Sequence, residues 1–148
     1  MGGDEKAVRV HLSRKRLEEF PEDRLRDQQE DLVLLDLSRN NIQIIPSSII
    51  NYQNLIELDM SANQIYRIPD EITDLVNLKT IVCKNNRLNC ASLPKDFGKC
   101  PKLQSVNLSG NMFIDFPMQL CEIRTLKLLH LGANRIRTLP NDIQNLQR

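Results

Sequence analysis

Four cysteines, two histidines and a short series of carboxylates are the side chains of this 148-residue chain with the means to do chemistry, and their spacing decides which chemistry that is. Cys83, Cys90, Cys100 and Cys121 contain no C-x-x-C pair, and His11 and His130 stand far from them and from each other. Neither a zinc site nor a disulfide framework follows from that pattern. Cys83 and Cys100 fall where the same position elsewhere carries Leu, Ile or Val, which reads as a buried, protonated, unreactive thiol. Asp36, Glu57 and Asp59 come nearest to a catalytic carboxylate set, but exposed positions on a strand give no desolvated pocket to drive two pKa values apart. G-x-x-x-x-G-K, H-E-x-x-H and G-x-S-x-G do not occur. No enzyme activity, catalytic residue, metal ligand or cofactor is expected.

Composition narrows the partner class. Twenty Lys and Arg against nineteen Asp and Glu leave a formal net charge of +1, and aromatics make up 4% with no Trp. So balanced a chain lacks the basic surface and the stacking platforms that hold nucleic acid, which is therefore not an expected partner. A membrane is not expected either, because no stretch reaches the roughly eighteen apolar residues of a bilayer span. The opening MGGDEKAVRV is charged where a signal peptide is apolar, and Lys6 stands where the myristoylation pattern needs Ser or Thr. These features predict a soluble, cytoplasmic chain.

What must position the polar residues is a repeat. The frame L-x-x-L-x-L-x-x-N-x-L-x-x-L-P-x-x-I-x-x-L recurs along nearly the whole sequence. Its cleanest copy places Leu55, Leu58, Met60, Asn63, Ile65, Ile68, Pro69, Ile72 and Leu75, and the next begins at Leu78, a period of 23. Pro21, Pro46, Pro69, Pro94, Pro117 and Pro140 step by 25, 23, 25, 23 and 23. Each long step is a 23-residue unit with two residues inserted, between Pro21 and Leu32 and again near Asn89 and Cys90. Residues 1–148 thus read as one domain of six repeats, 7–31, 32–54, 55–77, 78–102, 103–125 and 126–148. In the first, Lys15 replaces Asn and Arg9, His11 and Ser13 make the strand polar, as in a cap. Arg148 stands one residue before the Leu that would open another repeat, so we expect a natural chain that continues past it, and a monomer unless that uncapped edge pairs.

The alternation in L-x-x-L-x-L predicts a short parallel strand with its leucines turned inward. Asn40, Asn63, Asn86, Asn111 and Asn134 follow it, where an amide can donate to and accept from backbone groups left unpaired by the turn, so they are expected to form a structural ladder. The prolines lie beyond the strand and cost no sheet hydrogen bond.

This pattern resembles the leucine-rich repeat proteins of the short cytosolic, Ras-group-related subclass, over residues from about Ala7 to Leu146. More narrowly, KNNRLNCASLPKDFGKCPKLQSVNLSGNMFIDFP is similar to the animal family leucine-rich repeat-containing protein fifty-eight, insertion included. The resemblance implies an α/β, right-handed solenoid with a curved parallel sheet inside and short helical or irregular segments outside. It implies a non-catalytic interaction module with a protein partner. Two roles compete: a scaffold or adaptor beside a small GTPase in intracellular signalling, or the substrate-recognition part of a ubiquitin ligase whose ligase-binding part lies outside this chain. Extracellular receptor binding is disfavoured by the charged N-terminus and unpaired cysteines.

In such an arc the outward strand positions are the surface a partner reads. Asp36, Asp59, Asn107, and the serines near them are common wording for repeats of this kind and serve at least to keep the sheet face solvated. Departures carry more information. Val82, Met112, Leu128 and His130 offer apolar or adaptable contact beside Lys84, Arg87 and Arg135, and Asp36, Glu57 and Asp59 form an acidic zone in the preceding repeats. With Asn107, these eleven residues are the candidate partner-binding set.

Overall fold

The computed structural model describes residues 6–137. Leu139, Pro140 and Leu146, assigned from the repeat to the sixth unit, lie outside them. Each L-x-x-L-x-L segment forms a strand: β1 Val8–His11, β2 Leu32–Asp36, β3 Glu57–Asp59, β4 Thr80–Val82, β5 Ser105–Asn107 and β6 Leu128–His130. The six pair in sequence order as one parallel sheet. Leu35, Leu58, Ile81, Val106 and Leu129 stand in one lateral row.

Alternation then decides burial. Leu37, Met60, Cys83 and Leu108 are fully enclosed in a single column, and Leu131 is partly buried at its end. Val8, Val10, Leu12 and Leu17 pack against the core from the first repeat but are only partly covered, since among the described residues they have a neighbouring repeat on one side. A 23-residue unit has too few apolar side chains to offset the backbone entropy of its own ordering, so each unit depends on the next.

The outer side is built mainly from 3-10 turns, at Ser47–Asn51, Asp70–Asp74, Phe97–Lys99 and Met118–Glu122. Pro46, Pro69 and Pro117 precede three of these with φ near −75° and accept the first turn hydrogen bond on their carbonyls, from Ile49, Ile72 and Leu120. A proline there loses no needed N–H. Ile49, Ile72, Phe97 and Leu120 point from the turns into the core.

Both insertions are absorbed on this side. After Pro21 the extra length forms α1 (Glu22–Leu25) and a 3-10 turn at Arg26–Gln28. Near Asn89 it forms another 3-10 turn at Cys90–Ser92, where Asn89 accepts from the Ala91 N–H and the Ser92 hydroxyl accepts from the Asn89 N–H. Successive outer turns lie close enough that Gly98 is required: a Cβ there would stand 2.3 Å from Cβ of Glu122 and 2.7 Å from its carbonyl oxygen.

Tyr52 takes a core position that Leu75 and Cys100 occupy in later repeats, and its ring meets Phe20 edge-on at 5.8 Å. Burial raises the pKa of its hydroxyl, which has no hydrogen bond of proper length and angle among the described residues; Gln29 beside it opposes the rise.

Candidate functional site

The polar residues after each strand separate into those used by the fold and those left over. Asn63 shows the first kind. Its Oδ1 accepts the Ile42 N–H of the preceding repeat at 3.0 Å, while its Nδ2 donates to the carbonyl of Leu37, also behind it, and to those of Met60 and Ser61 in its own repeat. Asn40, Asn86, Asn111 and Asn134 repeat the arrangement on Leu17, Ile65, Leu88 and Phe113. Each amide therefore closes the unit behind it. Lys15 fits that direction: no coil lies behind its repeat among the described residues, and the Lys15 and Leu17 N–H groups are taken by Asn40.

The residue before each rung is left-handed: Arg14, Arg39, Ala62, Asn85, Gly110 and Ala133 all have φ between 53° and 72°. Only one of the six is glycine. In the first five the N–H donates to a carbonyl of the following repeat, as from Arg39 to Ser61 and from Ala62 to Lys84 at 2.8 Å, and this holds the conformation. A second ladder, on the other side of the strands, was not expected: Asn54 donates to the Glu30 carbonyl and Asn77 to that of Gln53. Its sequence signal is the Asn-Leu pair opening the third and fourth repeats.

The candidate binding residues lie on the face these ladders support. Parallel register puts His11, Asp36, Asp59, Val82, Asn107 and His130 in one row across the sheet. Arg9, Leu34, Glu57, Thr80, Ser105 and Leu128 form the row beside it. Toward the rim, the backbone N–H groups of Arg87, Met112 and Arg135 bond to Ile65, Leu88 and Phe113, and so bring those three residues into line. Asp36, Glu57 and Asp59 thus share one corner, Lys84, Arg87 and Met112 the adjoining rim, and Leu128, His130 and Arg135 the far end. The acidic corner and the far end are separated by several strands and do not touch.

Three members of the set also serve the turn. Asp36, Asp59 and Asn107 each accept, on Oδ1, the N–H two residues on, from Ser38, Ser61 and Ser109. Burial raises the Asp36 pKa, but the hydrogen bonds from the Ser38 hydroxyl and N–H outweigh it, with His11 at 3.7 Å adding to them, and the carboxyl ends below its ordinary value. Val82 cannot make this bond. In its repeat the Lys84 N–H turns instead to the Ser61 hydroxyl one repeat behind, at 3.2 Å. Ser61 is consequently buried, at 8% exposure, and belongs to the scaffold and not to the open face.

The remainder is unspent. Among the described residues, the side chains of Glu57, Lys84, Arg87, His130 and Arg135 make no hydrogen bond or ion pair, and Asp59 keeps its second carboxylate oxygen free. Met112 is 58% and Leu128 56% exposed. The same residues contain no group of three or more His, Cys, Asp or Glu able to hold a metal. No helix among them is long and apolar enough to cross a membrane. None of the four cysteines forms a disulfide among the described residues, and burial pushes Cys83 and Cys100 up to about 12, where thiolate is negligible at neutral pH.

A parallel sheet of stacked 23-residue coils, tied by an asparagine ladder, defines the class: the chain is a leucine-rich-repeat protein. The Leucine Rich Repeat family model matches residues 31–52 and 54–75. Leucine-rich repeat-containing protein 58 of Xenopus laevis is 38% identical over 116 residues, 78% of this chain and 32% of its own length. The chain thus spans about a third of that relative. Among solved structures, a leucine-rich-repeat protein of Leptospira interrogans superposes with a TM-score of 0.86 at 27% identity, over 95% of this chain and 35% of its own. The Arabidopsis receptor kinase HAESA, solved with the peptide hormone IDA and the co-receptor SERK1, gives a TM-score of 0.80 at 31% identity, over 99% of this chain and 25% of its own.

Proposed function

We propose that this chain is a non-catalytic protein-interaction module that holds a partner protein on the concave sheet, as a scaffold or adaptor in intracellular signalling. The observation that carries this reading is the unspent polarity of that face. The side chains of Glu57, Lys84 and Arg87 and the second carboxylate oxygen of Asp59 lie within two adjacent repeats and, among the described residues, pair neither with each other nor with the scaffold, whose own backbone groups are closed by the ladders. Such groups stay hydrated in the free protein and remain available to a complementary surface. The sheet supplies the other requirement, rigidity: stacked strands lose little conformational entropy on docking, so modest contacts over several repeats add up. That a solved leucine-rich-repeat relative is a receptor in complex with a peptide hormone and a co-receptor is in keeping with this use of the fold.

The test is capture from cells. Glu57→Arg with Lys84→Glu is expected to abolish retention of the partner while the thermal transition stays where it is. Undiminished capture would move the site off this face. Scaffolding beside a small GTPase and substrate capture for a ubiquitin ligase are separated by what the unaltered chain retains: a GTPase in the first case, a cullin complex in the second.

A further inference from the structure

We infer that the concave face takes an extended peptide segment of a partner, laid across the strands, with a Lys or Arg and a large apolar residue about four positions apart and an acidic residue between them. This rests on the concave face being the binding face, and it adds the chemistry and spacing of what binds there.

The anchor points are set by register. Glu57 and Asp59 project from β3, one row apart, and Asp36 lies directly beside Asp59 on β2. Asp36 is already engaged by Ser38 and His11, which leaves Glu57 and the free oxygen of Asp59 as the unpaired negative site. Leu128 projects from β6 in the row of Glu57, at 56% exposure, with His130 in the row of Asp59. From β3 to β6 is three strand spacings, about 14 Å, and an extended chain covers about 3.3 Å per residue, so about four residues join the two sites.

Between them the face changes character. The row of Asp36 and Asp59 continues as Val82, which removes the negative charge and the turn-capping oxygen together. On the rim side of that strand stand Lys84 and Arg87, both exposed and unpaired, followed along the rim by Met112 at 58% exposure. A carboxylate reaching toward the rim from the middle of the peptide would meet Lys84 and Arg87, and the apolar residue beyond it would lie on Leu128. Reversed charges would place like beside like at the Glu57–Asp59 pair and again at Lys84 and Arg87.

Selection of a random twelve-residue peptide library on the purified 148-residue chain tests this directly. The selected sequences are expected to share a basic residue and an apolar residue about four positions apart. A synthetic representative, followed by fluorescence anisotropy, should lose about tenfold or more in affinity on Glu57→Lys with Asp59→Arg, and an acidic residue in place of the basic one should restore it. Leu128→Asp should weaken the same peptide, and far-ultraviolet circular dichroism should show all variants folded. Selected peptides that Val82→Arg excludes but that lack the basic-to-apolar spacing, or that ignore the charge reversal, overturn the inference and leave the concave-face reading standing. Selected peptides that bind the Val82→Arg and Glu57→Lys/Asp59→Arg variants undiminished overturn both.

Discussion

The asparagine ladder and the concave face are made of the same kinds of side chain, one turn apart, and they differ in one respect. Asn40, Asn63, Asn86 and Asn111 are 6–8% exposed, and both ends of each amide are engaged with main chain. Glu57, Lys84 and Arg87 engage nothing among the described residues. A buried polar group must be satisfied within the molecule, whereas an exposed one is satisfied by water and can later exchange that water for a partner. Residue type alone does not tell which has happened. The repeat does, because the ladder column admits one residue and the face columns change from repeat to repeat.

That contrast predicts a graded series of effects on stability. The largest is at the ladder. Asn63→Leu strips partners from the Ile42 N–H and the Leu37 and Met60 carbonyls, and should cost about 2 to 4 kcal/mol in urea unfolding. An unchanged midpoint would show that these groups find water instead. Next comes the packed outer side: Gly98→Ala drives a Cβ into Glu122 and should cost about 1 to 3 kcal/mol by the same measurement. Ala62→Gly works in the opposite direction. It relieves a left-handed residue beside the ladder and should raise stability by about 0.5 to 1 kcal/mol; a loss would mean that the Ala62 methyl group packs more than its φ costs.

Asp36 sharpens the boundary between the two regions, since it lies on the face but is tied to the turn. Its folded pKa is lowered, so its contribution is present above its ordinary value of 3.8 and fades as pH falls through the lower, folded value. Asp36→Asn keeps an acceptor for Ser38, as Asn107 does for Ser109, and removes only the titration. Urea midpoints of the two proteins should converge as pH drops from about 5 to about 3. A constant gap would assign the acid sensitivity elsewhere. The smallest effect on stability belongs to Glu57→Arg with Lys84→Glu, two side chains that hold no scaffold bond among the described residues, where the midpoint should hold within about 0.5 kcal/mol while partner capture is lost. A marked destabilisation there would erase the distinction between scaffold and open face.

The strands and the core columns were legible because they repeat in residue type: Leu, Ile, Met, Cys and Val recur at fixed offsets wherever a side chain must fill the same space. The ladder was legible for the same reason, but its direction was not, since spacing says nothing about which neighbour an amide addresses. Lys15 reads as a cap residue, and geometry adds that its N–H is closed by Asn40 of the following repeat. The left-handed column was invisible. Arg39, Ala62 and Asn85 share no chemistry, and their φ is held by N–H groups reaching to the next repeat. Asp36 and Asp59 were expected on the face and are there, yet their use as turn acceptors was hidden behind their charge. Ser61 reads as one more exposed serine until Val82 is seen to force the Lys84 N–H onto it.

Because each rung reaches backward, a coil leaving the ribosome cannot finish its own hydrogen bonding. The Ile42 N–H waits for Asn63, and the Ile65 N–H waits for Asn86, one coil later in synthesis. Each coil thus borrows its closure from its successor, so removing a coil would unlock the one before it.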